Sequence, residues 1–210
     1  MLLAEELALI ALDPDSGRHA VGTREHLNAC LAGLLVAELH LDDRPAAPIL
    51  DAASEVVDQA GPKLKSVLSA MNRGLERRLG VGTWDAVVGS LVDAHIVAPA
   101  EGGLRPSHRV LDRAARDAIV ERLQLAAAGD EPLDVRTAVL LSMTGPAQLL
   151  ELVAPGRGTH KHARRRLDRA LDATSLHAVA ESVRKVLADA AAAVAAAGAV
   201  ATMGAAASSS

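Results

Sequence analysis

The sequence predicts an all-α protein: a single helical domain around a buried central helix bundle, with one small β-hairpin. The opening residues carry most of this inference. Leu2 to Leu12 and then Leu27 to Leu41 are apolar almost all round at helical spacing, with Ala29, Ala32, Gly33 and Ala37 as small residues that let helices approach closely. Aromatic residues are the second observation. Trp84 stands alone, with no Phe or Tyr in 210 residues, so the core is built from Leu, Val, Ile and Ala. Half the chain is apolar, enough for a sizeable core. The third is that one short stretch alone reads as strand.

The elements follow in order. A first helix covers Leu2–Leu12, and the Asp-, Ser- and Gly-rich segment from Asp13 to Gly22 is a turn. Thr23 is the expected N-cap of the second helix, Leu27–Leu41, which is expected to be the most buried and is closed by Asp42-Asp43-Arg44-Pro45. A third helix covers Ile49–Ala60, broken by Gly61-Pro62, and an amphipathic segment follows from Leu64 through Met71. After Gly80–Gly82, Thr83 is the expected cap of a helix over Trp84–Ala94. Ile96-Val97-Ala98 and Leu104-Arg105 flank a Pro99–Gly103 turn and are the two expected strands. Helices over Leu111–Leu125, Leu133–Met143, Pro146–Val153, Lys161–Leu171 and from Leu176 onward complete a helical domain of residues 1–187. Residues 188–210 read as an Ala-rich helix end and a disordered tail, too weakly apolar for confident membrane insertion.

Composition excludes several functions. Without aromatic platforms, base stacking on single-stranded nucleic acid is unsupported, and a net charge of −4 argues against general nucleic-acid binding. Cys30 is the single cysteine, so no intrachain disulfide forms and a cytoplasmic location is expected. Glu5 and Glu6 stand where a signal peptide needs positive charge.

Enzyme signatures are absent: there is no Cys cluster, no helical His-Glu-x-x-His and no nucleophile elbow, and no cofactor or metal is expected. Gly80-Val81-Gly82 follows no strand, so it fails the dinucleotide fingerprint. His160 and His162 point apart on a helix, which disfavours a metal. Glu38 is an ionisable group on a core helix, costly unless paired, and is expected to meet an Arg or a helix N-terminus. Of Glu5 and Glu6, one should face solvent and the other a neighbouring helix. Two basic clusters remain. One is Arg73, Arg77 and Arg78; the other is Arg157, Lys161, Arg164, Arg165, Arg166 and Arg169, countered within its span by Asp168 alone. Arg forks suit phosphate, and each cation near anionic lipid contributes about 1 kcal/mol.

Three blocks carry a family resemblance: Glu5-Glu6 followed by Asp13–Gly17 and Ala32–Leu39; Leu91–Val97; and Arg136–Ser142 with Leu149-Leu150-Glu151. In order and spacing they resemble the Golgi phosphoprotein 3 family over roughly residues 1–185. The resemblance implies a largely helical, non-enzymatic peripheral membrane adaptor that binds phosphatidylinositol 4-phosphate through a Trp, an Arg on the second helix and two later Arg. Those positions fall here on Thr23, Ala32, Val81 and Trp84, so the family's ligands are replaced. Arg24, Arg77 and Arg78 lie close by, and with Trp84 they are the candidate anionic head-group site. Lys161, Arg164, Arg165 and Arg166 form the secondary basic patch. The family's membrane-dipping hairpin corresponds to Ala98–Arg105, where Leu104 alone is strongly apolar.

The leading expectation is therefore a cytoplasmic adaptor, peripheral on the inner face of a membrane, with anionic phospholipid as partner. A cytosolic protein-interaction module, with a protein partner or self-association and no lipid binding, is the alternative. A winged-helix DNA binder is a third, suggested by the helix at 84–94 before a hairpin. That helix offers no Arg or Lys to base edges, so no nucleic-acid partner is expected.

Overall fold

The computed structural model describes residues 1–17, 24–41, 44–61, 63–100, 107–171 and 185. The element order is α1 (Leu3–Ala11), α2 (Arg24–Leu39), α3 (Pro48–Ala60), α4 (Leu64–Leu79), α5 (Thr83–Asp93), β1 (Val97–Pro99), β2 (His108–Val110), α6 (Arg113–Ala128), α7 (Val135–Thr144), α8 (Leu150–Val153) and α9 (Arg157–Leu171). The fold is all-α with a two-stranded antiparallel hairpin among the described residues.

The two apolar runs become the centre. Every residue of α1 except Glu5 is buried, and α2 is buried without interruption from Cys30 to Glu38. The most enclosed helix is thus α1, not α2 as the sequence led us to expect. The reason is local: α1, contacted by α2, α5, α6 and α7, is covered along its whole length, whereas α2, although it meets α1, α3, α4, α5 and α7, emerges at its first turn with Arg24 and Glu25 exposed. Burial pushes the Cys30 thiol up to about 12, so it is an inert core group.

Around this axis α3 and α4 form an antiparallel pair whose closest approach is at Gly74. A methyl carbon added there would overlap the Val56 side chain, so glycine is what lets the two helices touch. At the other end of the molecule, α9 packs on α6 and α7. Gly17 ends the first turn at φ +66°, its carbonyl accepting the His108 N–H at 2.7 Å. A Cβ there would stand 2.6 Å from the His108 carbonyl oxygen.

The hairpin differs from the sequence reading. Its register pairs Val97 with Val110, Ala98 with Arg109 and Pro99 with His108, so the second strand is His108–Val110 rather than Leu104-Arg105. Val97 and Val110 are the buried pair that decides this register. Leu104 and Arg105, Thr23, and the C-terminal segment from 186 lie outside the described residues. Thr83 is the first residue of α5 and Gly82 its cap, so the expected Thr83 cap is displaced by one residue. Residues 145–148 are a turn, which shortens the expected Pro146–Val153 helix to α8, and α9 begins four residues earlier than expected.

Candidate functional site

Three polar constellations bear on function. The first is internal. Glu38 is fully buried; its Oε2 accepts the Leu3 N–H at 2.9 Å and its Oε1 accepts from Arg136 Nη1 at 2.6 Å. Both expected neutralisers, an Arg and a helix N-terminus, therefore act on one carboxylate. Arg136 Nη2 also donates to the Met1 carbonyl at 3.2 Å. Glu6 is buried against Arg122 of α6; burial pushes its carboxyl above its ordinary value, and the Arg122 guanidinium draws it part of the way back. Neither of the pair faces solvent freely, as one was expected to: Glu5 is half-buried, accepting the Leu2 N–H and the Ser90 hydroxyl, each at 2.7 Å. These carboxylates tie α1 to α2, α5, α6 and α7.

The second constellation contains the first set of candidate ligands. Arg24 pairs with Asp85, and Arg78 pairs with Glu55 of α3. The Arg77 Nε–H donates back to the Arg73 carbonyl at 3.3 Å. Trp84 is 6% exposed and packs in the core. The α5 N-terminus is occupied from within: the Thr83 N–H donates to Asn72 Oδ1 at 3.0 Å and the Trp84 N–H to Asn28 Oδ1 at 2.9 Å. Asparagine side chains from α4 and α2 thus do the capping that the sequence reading gave to Thr83. The structure brings Arg24 and Trp84 to one helix start but turns Arg78 toward α3. Neither asparagine was singled out from sequence, because each caps a helix far away in the chain. The exposed side of α5 carries Asp85 and Asp93, while Val87, Val88 and Leu91 are buried against its neighbours.

The third is a groove of about 670 Å³ between α9, the turn after α7, and α8, with His26 of α2 at its edge. Leu141, Pro146, Leu150, Ala163 and Leu167 make it mainly apolar, while Arg157, Lys161 and Arg164 bring cations and Asp168 a carboxylate. Residues 157, 161, 164 and 168 recur at three- and four-residue spacing, which places them on one face of α9. The side chains of Arg157, Lys161 and Arg164 make no ion pair or hydrogen bond among the described residues.

Arg166 corrects the secondary patch. It is 6% exposed and donates to the Ala126 and Glu131 carbonyls, anchoring α9 to the end of α6. Two residues past Arg164, it lies roughly 200° round the helix. Lys161 and Arg164 line the groove, whereas Arg165 is exposed outside it. The two histidines diverge as well: His160 Nε2 stands 3.2 Å from Glu151 Oε2, and His162 contacts the Gly129 carbonyl at 3.0 Å and Asp130 at 3.6 Å. No group of three or more metal-ligating side chains occurs among the described residues.

The fold and these ties define the class: an all-α scaffold in which the buried carboxylates described above hold helices together, and in which a partly cationic groove opens on the surface. Residues 3–190 match the family model for Golgi phosphoprotein 3 (GPP34), and the chain belongs to that family. Membership supports a Golgi-phosphoprotein-like adaptor, in a family that is non-enzymatic. No curated protein matches the chain. No helix among the described residues is long and apolar enough to cross a membrane.

Proposed function

We propose that this protein is a peripheral membrane adaptor that recognises anionic phospholipid head groups at the α9 groove. The supporting observation is the cationic stripe of Arg157, Lys161 and Arg164, whose side chains form no ion pair among the described residues and which Asp168 alone offsets in the groove. Such a stripe works against its own helix. Like charges three and four residues apart each cost about 0.2–0.5 kcal/mol. The first turn of α9 carries no carboxylate, so Arg157 and Lys161 sit near the positive end of the helix dipole. A bound phosphate offsets both penalties through the guanidinium forks, sharing the start of the helix with Glu151, whose Oε1 accepts the Gly156 N–H at 3.3 Å.

The α2–α5 junction is the weaker candidate. A lipid arriving there must compete with Asp85 for Arg24 and with Glu55 for Arg78, and the first-turn N–H groups of Thr83 and Trp84 already have acceptors.

Co-sedimentation tests the assignment, with vesicles of phosphatidylcholine alone or with added phosphatidylinositol or its 4-phosphate. The native chain should sediment with the anionic vesicles and be released as salt shortens the screening length. The Arg157→Glu/Arg164→Glu variant should stay in solution. If Arg77→Glu/Arg78→Glu abolishes sedimentation and the α9 variant does not, the head group binds at the α4–α5 end. If the native chain ignores anionic vesicles at low salt, the protein-interaction module replaces the lipid reading.

A further inference from the structure

We infer that the α9 groove takes a whole single-chain amphiphile with a phosphate monoester head, its acyl chain lying inside the protein. The inference rests on the head-group reading above and goes beyond it, because a head-group site needs only cations at a surface. This site has more. Its walls are mainly apolar, built from Leu141 of α7, Pro146 of the following turn, Leu150 of α8, and Ala163 and Leu167 of α9. Leu141 and Ala163 are each 1% exposed, so the apolar lining continues into the core. A volume of about 670 Å³ lies within the range of roughly 300–1,000 Å³ typical of small-molecule sites. Apolar walls of this kind favour an apolar ligand surface over water.

Charge selects the head. Arg157, Lys161 and Arg164 bring three positive charges and Asp168 one negative, leaving a net of two. A phosphate monoester carries about −1.5 to −2 at neutral pH, and so balances the groove more closely than a carboxylate or a phosphodiester does. His160, the remaining ionisable residue of the α9 wall, has its Nε2 3.2 Å from Glu151 Oε2 without a hydrogen bond between them, and His26 stands beside the Gln148 amide at 3.5 Å. Cations and apolar side chains alternate along one face of α9, with Arg157, Lys161 and Arg164 interleaved with Ala163 and Leu167. One extended ligand can meet both kinds of surface.

Gly145 allows the groove to be filled without disturbing the core. It lines the groove, its backbone is right-handed helical at φ −63° and ψ −59°, and a Cβ built on it meets nothing within 4 Å. Gly145→Trp should therefore be tolerated by the fold and place bulk at the wall of the groove.

The test is a calorimetric titration with three probes below their aggregation concentrations: lysophosphatidic acid, glycerol phosphate as the head without the chain, and monoacylglycerol as the chain without the head. The native protein should bind lysophosphatidic acid about tenfold or more tighter than either fragment, since chain burial and charge pairing both contribute. Gly145→Trp should remove the contribution of the chain, bringing lysophosphatidic acid down to the affinity of glycerol phosphate for the same variant. Arg157→Glu/Arg164→Glu should remove the contribution of the head. Equal binding of lysophosphatidic acid and glycerol phosphate, or a Gly145→Trp variant that binds lysophosphatidic acid like the native chain, overturns the inference. Vesicle sedimentation that still depends on Arg157 and Arg164 would then leave the head-group reading standing. Lysophosphatidic acid binding without vesicle sedimentation would do the reverse, sustaining the groove ligand and ending the adaptor reading.

Discussion

Replacing Glu38 by alanine removes one side chain and leaves two donors without their acceptor. The Leu3 N–H lies inside the core, where a stranded donor costs about 1–3 kcal/mol. Arg136 is a different case: its side chain is 26% exposed, so once released its guanidinium can turn partly toward water. The full penalty of about 3–5 kcal/mol for breaking a buried ion pair therefore overstates its share. Together the two effects place Glu38→Ala at about 2–4 kcal/mol of destabilisation. Glu38→Gln keeps an acceptor for one donor and loses the charge assistance, and should cost about half as much. In a chain of this size each kcal/mol lowers Tm by about 2–4 °C, so Glu38→Ala should melt roughly 4–16 °C below the native protein. Urea denaturation and thermal melts followed by circular dichroism measure the free energies and the Tm shift, and the Glu38→Ala/Arg136→Ala double variant should lose less than the two single variants together. A Glu38→Ala protein within about 0.5 kcal/mol of native stability would refute the reasoning. So would a Glu38→Gln variant as damaged as Glu38→Ala.

Two further outcomes follow from single side chains. Asp134 caps α7 by accepting the Thr137 N–H at 2.9 Å. Burial pushes its carboxyl up, but the hydrogen bonds from Thr137 outweigh burial and hold it below its ordinary value of 3.8. A lowered carboxylate contributes stability above its unfolded pKa and loses it as pH falls through the folded one. Asp134→Ala should accordingly cost about 1 kcal/mol at neutral pH, with the difference from native closing below about pH 3.8. Denaturation curves at pH 7 and pH 3 check the sign. Gly74→Ala should destabilise by about 1–3 kcal/mol because the new methyl group overlaps Val56. Val56→Ala combined with it should recover part of the loss, and additive costs in that double variant would show that the two helices do not meet there.

Local sequence determined the parts of this protein that local physics controls. The apolar run on either side of Asp13–Gly17 had to be buried, because apolar residues all round a helix leave no face for water. That made an all-α core readable, along with the breaks at Gly61 and Gly80. The need of Glu38 for a partner was equally legible, since an unpaired carboxylate on a core helix is too costly to persist. Its partners were not. Arg136 lies 98 residues away and Leu3 lies 35 away, and only the packing of α7 and α1 against α2 brings them to one carboxylate. The same limit governs the groove. Lys161, Arg164, Arg165 and Arg166 look alike in a row, but α9 turns by about 100° at each residue, and its neighbours decide which side is inside. Because α9 is laid on α6 and α7, Arg166 is buried against the backbone carbonyls of Ala126 and Glu131, while Arg164 is left in the groove with Leu141, Leu167 and Asp168 and forms no ion pair among the described residues.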